Sequence, residues 1–76
     1  MSDATANAKR LLAAALQIDE SEISEATAIG ESERWDSLAH MRLVLGLEEF
    51  LDAQLDTEQM LGLERFNDIV SFLEAQ

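Results

Sequence analysis

The chain has 76 residues, enough for one small domain (1–76) and too few for two independent cores. Hydrophobic residues make up 47%, mostly Leu and Ala, and the absence of Cys and Pro excludes a disulfide scaffold and a cysteine-ligated zinc site. Sixteen acidic residues against five basic ones give a net charge of −11, which argues against nucleic-acid binding and favours a partner with a basic patch.

From about Asp3 to Gln17, Ala8, Leu11, Leu12, Ala15 and Leu16 recur at helical spacing, with Ser2 or Asp3 as N-cap. Lys9-Arg10 followed by Leu11–Leu16 looks superficially like a signal peptide. The apolar run is short, however, and acidic residues follow it directly. No run approaches the ~18 apolar residues of a membrane span, so a cytoplasmic, soluble monomer is expected. The next stretch lacks a periodic face. Ile18, Ile23 and Ile29 punctuate it, as in a long loop pinned to a core at a few points, and Gly30 closes that region.

Asp36 is a good N-cap, and Ser37 to about Ala53 reads as a helix opposed only by Gly46. At 100° per residue, Leu43, Leu47, Phe50 and Leu51 cluster on one side with Val44 at the edge, and this set reads as core. Leu38, Met41 and Leu45 form a second row, interleaved with Arg42, Glu48, Glu49 and Asp52. Such a row reads as ordinary surface Leu and Met, as packing under the preceding loop, or as a partner-docking face with an apolar centre and a charged rim. Asp56-Thr57-Glu58-Gln59 has capping-box spacing and predicts a short helix from about Thr57 to Leu61, stopped by Gly62. Phe66 to Ala75 carries Ile69, Val70, Phe72 and Leu73 at helical spacing, with Asn67 and Asp68 in its first turn. No strand pattern is convincing. The expected fold is all-α: a small four-helix bundle of three main helices and one short one, with a long loop after the first.

Little in this chain suggests catalysis. The carboxylates at Glu48-Glu49 and at Asp19, Glu20 and Glu22 read as solvated faces, because so small a bundle has little room for a cleft. Asp19 to Gly30 lacks the pattern of a calcium-binding EF-hand loop, so no dedicated metal site is expected. Asp36, Ser37 and His40 fall within one helical turn, without a nucleophile elbow or an oxyanion hole. His40 reads as a helix residue at the core boundary. Ser37 is different. At the first position of a helix, its hydroxyl lies beside unpaired backbone N–H groups and the positive end of the helix dipole, a setting that suits a phosphate. On the tripeptide Asp36-Ser37-Leu38 alone, a plain first-turn serine is the preferred reading, since Ser near a helix start is common.

Trp35-Asp36-Ser37-Leu38 at mid-chain, followed by Leu43-Val44-Leu45-Gly46-Leu47-Glu48-Glu49, resembles the acyl carrier protein family. The likeness spans the whole chain, including the acidic loop and the last helix rich in Ile, Val, Phe and Leu. The resemblance implies that Ser37 carries 4′-phosphopantetheine in phosphodiester linkage. It implies too that Asp36 helps a phosphopantetheinyl transferase hold the magnesium it uses during attachment from coenzyme A. It also implies docking of partner enzymes on the second helix, at Leu38, Met41, Leu45, Glu48 and Glu49, and Arg42 on the same face joins that set as a departure from the family. A ligase or transferase would load an acyl or aminoacyl group as a thioester, and a downstream transferase or synthase would receive it. The chain itself would catalyse nothing.

The departures point to a specialised member serving a dedicated pathway of lipid or secondary-metabolite synthesis. Trp35 precedes the Asp where small residues are usual, Ala39, His40 and Arg42 stand where acidic or small polar residues are common, and Phe50 replaces a frequent Glu. The sequence does not choose the cargo. The rival expectation is an unmodified acidic helical adaptor, which explains the charge but not the placement of Asp-Ser-Leu.

Overall fold

The computed structural model describes residues 3–31 and 33–76. Among them four α-helices occur: α1 (Asp3–Leu16), α2 (Ser37–Leu51), α3 (Thr57–Gly62) and α4 (Phe66–Glu74). The fold is a small helical bundle, with α1 packed against both α2 and α4. No helix among the described residues is long and apolar enough to cross a membrane.

Local chemistry explains where α2, α3 and α4 start. The Asp36 carboxylate accepts the Ala39 N–H at 2.9 Å, capping α2. Asp56 and Gln59 form the expected reciprocal box at α3: Gln59 N–H donates to Asp56 Oδ1 at 2.8 Å, and Asp56 N–H to Gln59 Oε1 at 2.9 Å. At α4 the Asp68 carboxylate takes the N–H groups of Glu64 and Arg65, each at 3.1 Å. Of the two N-caps expected for α1, Ser2 lies outside the described residues and Asp3 is the first helical residue.

Helix ends depart from expectation by one or two residues. α1 stops at Leu16 because Gln17 turns left-handed (φ 59°), letting Ile18 N–H reach the Ala13 carbonyl at 3.0 Å. α2 stops at Leu51 in the same way, with Asp52 at φ 53° and Ala53 N–H on the Glu48 carbonyl at 3.1 Å. Neither end uses the glycine that usually marks such a cap.

The buried residues form one cluster, including Ala8, Leu12 and Leu16 from α1, Ala39, Leu43, Val44 and Leu47 from α2, and Phe66, Ile69 and Leu73 from α4. Two expected core residues are displaced from it. Phe50 is 43% exposed, and its ring lies 5.9 Å from the guanidinium carbon of Arg10, an exposed residue of α1. Ile29 is also exposed: the loop is pinned there by backbone, not by side chain. Ile29 N–H donates to the Glu64 carbonyl at 2.8 Å and Phe66 N–H to the Thr27 carbonyl at 3.0 Å, forming an isolated antiparallel bridge between Ala28 and Arg65. Gly30, at φ 84°, then allows the turn closed by Glu31 N–H on the Ala28 carbonyl. Ile23 is buried as expected, and Ile18 packs partly on the core. Between them Glu20–Glu22 makes a single 3₁₀ turn.

Gly46 gives a direct test of the α1–α2 packing. A Cβ added there would meet Leu11 Cδ2 at 3.7 Å, an ordinary van der Waals contact. Gly inside a helix costs about 0.5–1 kcal/mol relative to Ala. Gly46→Ala is therefore expected to raise stability by about that amount in urea unfolding. A loss instead would mean that the helices approach more closely than this spacing.

Candidate functional site

The N-terminus of α2 gathers Asp36, Ser37 and His40, three of the residues singled out by the sequence. Asp36 adopts an extended backbone (φ −103°, ψ −172°), and its main-chain carbonyl accepts the His40 N–H at 2.9 Å, the first bond of the helix. With its carboxylate on the Ala39 N–H, Asp36 is used at both ends as a cap. The N–H groups of Ser37 and Leu38 fall in the first turn, where the helix itself supplies no acceptor. Ser37 is exposed. Its hydroxyl therefore stands in solvent at the positive end of a 15-residue helix, open to a modifying enzyme and compatible with a phosphate.

Behind that serine lies an arrangement the sequence reading missed. Trp35 is 1% exposed, the largest of the fully buried side chains. Its indole Nε1–H donates to His40 Nδ1 at 3.1 Å, and the two rings stack at 23° with centroids 6.1 Å apart. The other imidazole nitrogen, Nε2, lies 2.8 Å from the Met60 carbonyl oxygen of α3. An indole N–H only donates and a carbonyl only accepts. The imidazole satisfies both when its single proton is on Nε2. His40 is thus half-buried at the core boundary, as expected, with both ring nitrogens engaged by partners other than Asp36 and Ser37.

No protein-family model matches this chain, and no curated protein matches it.

Further along α2, the second row is exposed to solvent: Leu38 60%, Met41 56% and Leu45 56%. Arg42 and Glu49 are exposed beside it. Glu48 is half-buried, and its carboxylate accepts the Leu55 N–H at 2.9 Å, closing the turn between α2 and α3. Leu45, Glu48, Glu49, Asp52, Ala53 and Gln54 line an open groove of about 470 Å³ at the C-terminal end of the helix. That end carries no basic residue in its last turn. Carboxylates near a helix C-terminus oppose the dipole, so Glu48, Glu49 and Asp52 are not placed to stabilise α2. Among the described residues, no group of three or more His, Asp or Glu side chains converges as a metal site.

Proposed function

We propose that this protein is a carrier that holds an acyl or aminoacyl group as a thioester on 4′-phosphopantetheine attached to Ser37, and presents it to partner enzymes. The observation that supports this most is the Ser37 hydroxyl, exposed at the N-terminus of a long helix and unobstructed by the chain's own capping bonds. A phosphodiester there meets backbone N–H donors and the helix dipole, both of which favour its charge. Asp36 fixes the start of the helix through Ala39 N–H and so holds the serine at the rim. The arm supplies a terminal thiol when attached. The chain has no Cys, so no side-chain thiol competes with it.

In this reading the exposed Leu38, Met41 and Leu45 dock partner enzymes, and the acidic rim attracts basic surfaces. A phosphopantetheinyl transferase attaches the arm, a ligase or transferase loads it, and a downstream enzyme takes the cargo. Charge-steered contacts over a small interface associate quickly and release readily, as a shuttle requires.

The test is intact mass after co-expression with a broad-specificity phosphopantetheinyl transferase. The wild-type chain is expected to gain one phosphopantetheine group. Ser37→Ala should abolish the gain with far-UV helicity unchanged, since the cap belongs to Asp36. An unmodified wild-type chain would leave an acidic adaptor as the better reading, and a gain that persisted in Ser37→Ala would move the site.

A further inference from the structure

His40, with Trp35 against it, is a buried-side feature near Ser37 that attachment and docking leave unused. It joins α2 to α3, and α3 is weakly held by everything else. None of its side chains is fully buried, and only Met60 packs partly on the core. At six residues it is far below the length at which a helix persists alone in water. Leu55 and Leu63 are buried just outside its two ends, leaving Thr57–Gly62 as a short span strung between two apolar anchors.

The carbonyl of Met60 lies in the last turn of α3, where the helix provides no i+4 donor. Glu64 N–H, which could have reached it, is taken by Asp68. Leu63 N–H approaches only to 3.4 Å. His40 Nε2–H supplies the short bond, 2.8 Å, and places a donor at the negative end of the α3 dipole. Trp35 makes that donor available: by occupying Nδ1 with its own N–H, it leaves the ring proton on Nε2.

We propose that α3 is a flap latched to α2 by His40, that it opens locally while α1, α2 and α4 stay packed, and that Trp35 sets the latch by fixing the imidazole proton. His40 lies three residues from Ser37 on α2, so the flap borders the flank of the helix that carries the serine. Opening it changes the surface a docked partner meets there. The latch is a property of the fold and does not rest on Ser37 being modified.

Amide hydrogen exchange of the full chain, followed by NMR, tests this without any partner. In the wild type, the amides of Met60 to Leu63 are expected to exchange at least about tenfold faster than the slowest amides of α1, with little dependence on low urea. His40→Phe keeps a ring but loses both bonds. It should speed the α3 amides about tenfold further, shift the lone indole N–H resonance, and leave the α1 rates unchanged relative to one another. His40→Gln retains a side-chain N–H and should give an intermediate acceleration of about threefold. If His40→Phe does not fold, His40→Gln decides the latch alone. Wild-type α3 amides matching those of α1 in rate and urea dependence would overturn the flap. A variant in which α3 accelerates no more than α1 would overturn the latch.

Discussion

Trp35→Ala is expected to remove most of the stability of this domain. The side chain is the largest fully buried one, and truncating a buried Trp typically costs about 3–5 kcal/mol through lost transfer energy and the cavity left behind. The substitution also strips His40 Nδ1 of its donor, which adds about 1 kcal/mol for a partly buried polar atom left unpaired. A domain of this length has roughly 4–11 kcal/mol in total. Urea or thermal unfolding followed by far-UV circular dichroism should therefore show Tm lowered by more than about 15 °C. Leu38→Ala, three residues on, is the internal control. That side chain is largely exposed, so its loss should stay within about 0.5 kcal/mol. A cost below about 1 kcal/mol for Trp35→Ala would show that the indole is not part of the core.

The contrast between those two neighbours also marks what the sequence could and could not say. Leu38 belongs to a repeating row, so the wheel set it, with Met41 and Leu45, on a second face apart from the main core row, and the structure leaves that face exposed and not packed under the loop. Caps written in side chains were equally legible: Asp36, and the Asp56–Gln59 pair, start α2 and α3 where expected. Helix ends were less so, because Gln17 and Asp52 adopt a left-handed conformation that the local sequence does not advertise without a Gly. Trp35 stands alone before a helix, outside any period, and its burial depends on what folds over it. Phe50 shows the converse. Its angle on the wheel falls within the buried arc, yet its ring lies beside the exposed Arg10 and the residue stays 43% exposed. Periodicity gives a direction from one helix axis. It does not give the shape of the neighbour that direction meets.

The site divides in the same way. Ser37 and its cap were legible because a helix start is a local event, set by a few consecutive residues. The bond from His40 to Met60 spans 20 positions and ends on a backbone carbonyl, so no side-chain pattern announces it. Glu48 was legible as a charge beside the second apolar row, but its bond to Leu55 N–H makes it part of the turn as well. Altering Glu48 would thus change the turn along with the rim, and it is a poor choice for probing docking. Met41 and Arg42 are better, since both are exposed.

Those two residues carry the other large expected effect, which rests on the carrier reading. Leu38, Met41 and Leu45 fall within about 60° of one another on α2, and Met41 stands about 40° from Ser37. Contacts at the desolvated centre of an interface usually dominate its affinity, while rim charges mainly set association rate and salt sensitivity. With the chain carrying its arm, Met41→Ala should lower kcat/KM of the cognate loading enzyme about tenfold or more, with Tm unchanged within a few degrees. Arg42 sets one positive charge among Glu48, Glu49 and Asp52. Partner surfaces built for wholly acidic carriers are basic, so this charge should repel them and favour a dedicated enzyme. Arg42→Glu is then expected to improve loading by a generic fatty-acid-synthesis enzyme and to leave the cognate one unchanged or slower. The two variants separate the effects by salt: the Met41→Ala loss should persist at high ionic strength, whereas the Arg42→Glu effect should shrink as screening shortens the reach of the charge. If neither variant altered loading while substitutions on α1 or α4 did, the docking face would lie on those helices instead.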